Sequence, residues 1–75
     1  MGKRSVADLK QGETGIITGF SDQVISLKLM EMGCLPGSTI KMNFAAPFGD
    51  PISYYIAAYN LTLRIAEASA ILIEE

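Results

Sequence analysis

The side chains that most often carry out chemistry are scarce in this sequence. Its 75 residues include no histidine, which removes the commonest general base and the commonest metal ligand. Cys34 is the single cysteine, and one thiolate can build neither a cysteine metal site nor an internal disulfide. The spacing of Asp50 and Glu67 does not require a paired-carboxylate site. We therefore predict no catalytic residue, no metal ligand and no cofactor, and we predict that the protein is not an enzyme.

Two roles are open to Arg64, one in stabilising charge on a partner and one that is purely structural. An arginine lent to a nucleotide-hydrolysing partner can stabilise the negative charge of the transition state. Arg64 also lies between Leu63 and Ile65 in a predicted strand, where pairing with Glu67 would give it a purely structural role. The sequence leaves both roles open, so Arg64 is included among the candidate partner-binding residues.

The bulk composition limits the classes of partner. The net charge is −2 and the six basic residues are scattered, which argues against nucleic acid binding because that usually needs clustered Lys and Arg. Hydrophobic residues make up 49% of a chain that is too short to have a large interior. This predicts either a well-filled core or an exposed apolar patch that contacts a partner protein, and the same surplus permits self-association into a homo-oligomer.

Length and hydropathy predict one domain, residues 1–75. No window approaches the roughly 18 consecutive apolar residues of a membrane-spanning helix, so we predict no direct membrane insertion. The first residues lack the apolar stretch of a signal peptide. A lone cysteine suits a reducing compartment. Together these features predict a soluble, cytosolic protein.

The segment EMGCLPGST, residues 31–39, ends a helix and starts a strand with almost no loop between them. Ser21 or Asp22 is a good N-cap, and Ile25, Leu29 and Met32 recur at helical spacing as a core stripe. Gly33 fits the left-handed position that follows a helix, and residues 36–37 (Pro-Gly) fit the centre of a type II turn. Lys28 and Glu31, three residues apart on this helix, can form an ion pair in solvent.

Alternating apolar residues predict five short strands. In the second strand, Ile40, Met42, Phe44 and Ala46 are expected to share one face, and Asn60 is expected to allow a tight reversal before the fourth. The fold class predicted is all-β with little helix: an SH3-like five-stranded small barrel, with one helix between the first two strands. An OB-fold is the alternative, but its helix lies between the third and fourth strands. The strands are expected at residues 13–20, 39–46, 52–59, 61–65 and 70–73, with a single helical turn at 66–69.

Apolar residues at tight corners are the candidates for partner contact. Phe48 occupies the tip of the APFGDP turn, residues 46–51, where side chains are normally polar. Cys34 and Leu35 lie between two chain reversals, where burial is hard to complete. Plugging of the barrel ends by Leu35 and Phe48 is the structural alternative. The full candidate set is Met30, Cys34, Leu35, Pro47, Phe48 and Arg64.

The sequence resembles the ferrous iron transport protein A (FeoA) family along its whole length. Three motifs in order carry the resemblance, in addition to an N-terminal Asp-Leu-x-x-Gly. The chain departs from the family at Ala58, where glycine is frequent, and at Cys34, where a larger apolar residue is usual. The motif residues are Leu29, Met32, Gly33, Pro36 and Gly37; Ala46, Pro47, Gly49, Asp50 and Pro51; and Leu61, Leu63, Arg64, Glu67 and Ala68.

The resemblance implies an SH3-like accessory or regulatory protein of bacterial ferrous iron uptake. Such proteins work with FeoB, a membrane transporter that has a cytosolic GTPase domain, and the interaction is expected to be between proteins. The alternative implied by the same fold is a regulatory domain similar to those of iron-dependent repressors, which would bind metal or modulate a transcription factor.

Overall fold

A computed structural model describes residues 4–74, so residues 1–3 and 75 of the predicted domain lie outside it. The order of elements confirms the predicted all-β class with little helix. One helix lies between the first two strands, as predicted for an SH3-like barrel and not for an OB-fold. The elements are a 3₁₀ turn Val6–Asp8, β1 Thr14–Phe20, α1 Gln23–Glu31, β2 Thr39–Ala45, β3 Ile52–Ile56, β4 Tyr59–Leu63, α2 Ile65–Ser69 and β5 Ile71–Ile73.

The five strands form one antiparallel sheet in the order β4-β3-β2-β1-β5. β1 pairs with β2 through residues 14–16 and with β5 through residues 17–20, so the sheet folds over at the middle of β1. A Cβ atom at Gly15 would lie 3.0 Å from Cδ1 of Ile73. Glycine at this position therefore permits the close approach of β5 that a small barrel needs.

The end of α1 explains the two closely spaced stops of residues 31–39. Of the two predicted caps the helix uses Asp22, whose Oδ1 accepts a hydrogen bond from the Val24 amide at 2.9 Å. The carbonyl of Met32, the C-cap residue of the helix, accepts a 2.7 Å hydrogen bond from the Tyr59 hydroxyl. Gly33 has φ +105°, and a side chain there would collide with that hydroxyl. Gly33 thus ends the helix and leaves room for Tyr59 of β4.

The core lies between the folded halves of the sheet and the two helices. Tyr54 of β3 is fully buried, and its hydroxyl donates a 3.1 Å hydrogen bond to the Val6 carbonyl. Burial raises the pKa of Tyr54 to about 12. Leu29 of the predicted helical stripe is also fully buried, and the half-buried Ile25 and Met32 pack against the core. The largest fully buried side chains are Tyr54, Ile17, Leu29, Ile40, Ile56, Leu63, Ile71, Val6 and Cys34.

The prediction that Phe44 shares one face of β2 with Ile40 and Met42 is wrong. Ile40 and Met42 are both buried, but the pairing with β3 shifts between Met42 and Phe44. Asn43 is the extra residue on β2, and such a bulge turns the following side chain to the other face. Phe44 is consequently 59% exposed.

The predicted reversal at Asn60 is also wrong. Ala57 and Ala58 make the turn between β3 and β4, with φ angles of +54° and +70°. Ile56 pairs with Tyr59 across this two-residue loop, so β4 begins before Asn60. Both central residues with positive φ define a type I′ turn, for which Asn and Gly are the usual residues. Alanine is not typical of this turn type, so the sequence pattern favoured a reversal at the neighbouring Asn60.

We predict that Ala58→Gly stabilises the protein by about 1 kcal/mol, because glycine relieves the left-handed strain of an L-residue. The free energy of unfolding from chemical denaturation measures the effect. Ala66→Gly in α2 is the matched control, since Ala66 is exposed and helical and its replacement should destabilise by about 0.5–1 kcal/mol. A loss of stability in Ala58→Gly would contradict the turn described here.

Candidate interaction surface

The turn that carries Phe48 is held against the start of α2. Within the turn, the Gly49 amide donates to the Ala46 carbonyl at 2.7 Å. Oδ1 of Asp50 accepts a 3.0 Å hydrogen bond from the amide of Ile65, the first residue of α2. First-turn amides have no partner within their own helix, so Asp50 satisfies a donor that would otherwise need water. This bond places the turn beside Arg64.

The side chains at this junction form what we call the Phe48 surface: Pro47, Phe48, Arg64 and Ile65. Phe48 is 99% exposed and Ile65 is 41% exposed. Pro47 and Arg64 are exposed as well. Aromatic side chains and arginine are enriched in the energetically dominant parts of protein interfaces. Chemically, therefore, the Phe48 surface is suited to binding another protein.

A short ion pair joins α1 to α2 next to the Phe48 surface. Nζ of Lys28 lies 2.9 Å from Oε2 of Glu67. Oε1 of Glu67 accepts a 2.9 Å hydrogen bond from the Arg64 amide. The pKa of Glu67 is lowered below its usual value, mainly by that backbone hydrogen bond and secondly by the hydrogen bond from Lys28. The pairings predicted for Arg64 with Glu67 and for Lys28 with Glu31 are therefore wrong, since Lys28 takes the Glu67 carboxylate.

Cys34 does not belong to the predicted surface, and this part of the prediction is wrong. Its side chain is fully buried, because the Cys34 amide bonds back to the Leu29 carbonyl at 3.0 Å and turns the residue inward after α1. The same burial raises the pKa of the thiol. The tight reversal that follows is as predicted, with the Ser38 amide donating to the Leu35 carbonyl at 3.0 Å.

The structure brings together only part of the candidate set. Leu35 is 49% exposed and Met30 is half-buried, and within residues 4–74 no side-chain hydrogen bond or ion pair links either residue to the Phe48 surface. Phe48 does not plug a barrel end, given its exposure. Pro47, Phe48 and Arg64 therefore remain as the connected candidates.

Sequence reasoning missed two groups of exposed apolar side chains. Val24 and Leu27, which lie on one face of α1, are 88% and 64% exposed. Their position off the core stripe was the available signal. Phe44 and Tyr55, on the outer face of the sheet, are 59% and 44% exposed. Tyr55 alternates with buried neighbours and was foreseeable, whereas the bulge that exposes Phe44 left no signal in the pattern.

Neither a metal-binding cluster nor a membrane-spanning helix is found among the residues that the structure describes. No group of three or more His, Cys, Asp or Glu side chains between residues 4 and 74 is placed to hold a metal ion. In the same range, neither helix has the length and apolarity needed to cross a bilayer.

One five-stranded antiparallel sheet with little helix, and with a helix between its first two strands, defines a small SH3-like β domain. The FeoA domain model matches residues 4–75 of the sequence. The chain belongs to the FeoA domain family.

Relatives connect this family to ferrous iron transport. The chain is 33% identical over 70 residues to an Fe(2+) transport protein A/Fe(2+) transporter FeoB fusion protein of Porphyromonas gingivalis. The match covers 92% of this chain but only 8% of the fusion protein. In that relative, an FeoA domain and the transporter are parts of one polypeptide.

Solved structures support the fold. A FeoA-like protein from Clostridium acetobutylicum is 32% identical with a TM-score of 0.88, and the match covers 99% of this chain and 88% of that one. FeoA of Stenotrophomonas maltophilia, described as a prokaryotic SH3 domain protein and solved with zinc, has a TM-score of 0.80. At 20% identity, covering 95% of this chain and 89% of that one, the second likeness shows the fold alone.

We predict that Glu67→Gln lowers stability at neutral pH by less than about 1 kcal/mol, the usual range for surface ion pairs. Because the folded state lowers the pKa of Glu67 from 4.5, its contribution is present above pH 4.5 and is lost as the pH falls through the lower folded value. The variant should therefore lose less stability on acidification than the wild type, as measured by denaturation at several pH values.

Glu31→Gln is the matched control for this experiment. It removes a carboxylate from α1 without touching the Lys28–Glu67 pair, so its stability should follow the wild-type pH dependence. A larger effect from Glu31→Gln than from Glu67→Gln would show that Lys28 pairs within α1 instead.

Proposed function

We propose that this protein is an accessory or regulatory subunit of ferrous iron uptake that binds the cytosolic portion of FeoB. The observation that carries the proposal is the Porphyromonas gingivalis fusion, in which an FeoA domain and FeoB share one chain. Fusion keeps two partners at a high effective concentration, which is useful when they act together. On this proposal the protein works in the cytosol and contacts the transporter, not the lipid.

The Phe48 surface supports the proposal and is the docking site that we infer. Full burial of a phenylalanine side chain is worth about 1.5–3 kcal/mol, and the isolated domain leaves that energy unused at Phe48. Arg64 directly precedes Ile65, whose amide is bound by Asp50 of the same turn, and it has no ion pair among residues 4–74. Its guanidinium is therefore free to pair with a carboxylate or phosphate of the partner, which keeps both the docking role and the charge-stabilising role open.

Binding to purified FeoB tests the docking site. We expect Phe48→Asp to weaken binding about tenfold or more, because it places a charge where an aromatic anchor would be buried. Val24→Asp is the matched control: it adds the same charge at another highly exposed apolar residue, on α1, and it should leave binding unchanged. Weaker binding by Leu35→Asp would show that the docking surface extends to the residues that follow α1.

Two results would contradict this docking site. One is full binding by Phe48→Asp with an intact circular dichroism spectrum. The other is loss of binding in Val24→Asp, which would place the interface on α1. GTP hydrolysis by FeoB with and without the protein then separates activation, inhibition and scaffolding. Loss of stimulation in Arg64→Ala with retained binding would assign Arg64 a role in hydrolysis.

The repressor-like alternative stays a prediction. It requires metal or nucleic acid binding by this chain. Calorimetry with Fe²⁺ under reducing conditions tests the first requirement, and salt-dependent DNA binding tests the second.

A further inference from the structure

The two edge strands of the sheet differ in whether another segment of the chain is hydrogen-bonded to them. β4 and β5 are the outer strands of the order β4-β3-β2-β1-β5. The outer edge of β5 is covered by the N-terminal segment, because the Ile73 amide donates to the Arg4 carbonyl at 3.0 Å and Ser5 bridges to Leu72. No backbone hydrogen bond from residues 4–74 covers the outer edge of β4. Within the described chain, β4 is therefore the open edge.

The hairpin geometry identifies the open groups on β4. Its two-residue turn makes Ile56 and Tyr59 a hydrogen-bonded pair, and bonded and non-bonded pairs alternate along an antiparallel ladder. Leu61 therefore bonds to β3, whereas Asn60 and Thr62 direct their N–H and C=O groups away from it. The edge thus presents two donors and two acceptors, two residues apart, with Leu61 at their centre.

β4 lacks the features that usually keep an edge strand from pairing. Natural edges are blunted by charged side chains, proline or bulges. The strand Tyr59–Leu63 contains no charged residue and no proline, and its register with β3 is uninterrupted over all five pairs. The interior strand β2, by contrast, carries both Lys41 and a bulge.

We propose that β4 pairs with β4 of a second copy of this chain, antiparallel and across a two-fold axis at Leu61. The edge is self-complementary under that axis: the Asn60 N–H and C=O meet the Thr62 C=O and N–H of the second copy, which forms four backbone hydrogen bonds. Identical uncharged strands also escape the like-charge repulsion that opposes most self-pairing. The dimer is weak, because it depends on a few hydrogen bonds and little apolar area.

Sedimentation of the purified full chain over a range of concentrations tests the dimer. The mean mass is expected to rise from that of one chain towards that of two. Thr62→Pro should weaken self-association about tenfold or more, because it removes two of the four hydrogen bonds. The Thr62 N–H points away from β3, and proline is tolerated at such edge positions. Thr62→Val, which keeps the N–H, is the matched control and should dimerise like the wild type.

Amide hydrogen exchange on the wild-type chain gives an independent test if Thr62→Pro does not fold. Exchange at Asn60 and Thr62 should slow several-fold at high protein concentration, whereas exchange at the exposed turn residue Phe48 should not change. A chain that stays monomeric throughout, or a dimer that a folded Thr62→Pro variant retains, would overturn the proposal. So would self-association that Val24→Asp abolishes, since the interface would then lie on α1.

Discussion

β1 belongs to two ladders at once, and the arrangement of the other elements follows from the bend that this requires. Its first residues pair with β2 and its last with β5, and Gly15 lets Ile73 approach at the crossing point. The bend folds the sheet over one shared interior, which α1 and α2 complete. A chain of 75 residues has little apolar area to bury, so each fully buried side chain contributes a sizeable share of the stability.

Because the interior is small, several large apolar side chains remain exposed. Once the sheet and helices have packed, Phe48 and Val24 have nothing left within the described chain to cover them. They lie in different places: Phe48 on a turn tied to α2 by Asp50, and Val24 on α1. Exposed apolar side chains of this kind are typical of protein contact sites, which is the role that we propose for Phe48.

Periodicity and glycine placement predicted most of the fold. Local sequence rules gave the stop at Gly33 and the position of α1 between β1 and β2, and they narrowed the helix cap to Ser21 or Asp22. The bulge that exposes Phe44 could not be predicted in this way, because no residue type in β2 marks the position of a bulge. Burial of Cys34 and the Lys28–Glu67 pair depend on the tertiary packing of α1, which no spacing along the chain encodes.

The most direct test of docking through the Phe48 surface is chemical-shift mapping. The ¹⁵N-labelled protein is titrated with the cytosolic domain of FeoB, and amide shifts are followed residue by residue. Docking through the Phe48 surface predicts perturbations centred on Phe48, Arg64 and Ile65, with the amides of Val24 and Leu27 unchanged. Perturbations centred on α1, or none at saturating partner, would contradict it.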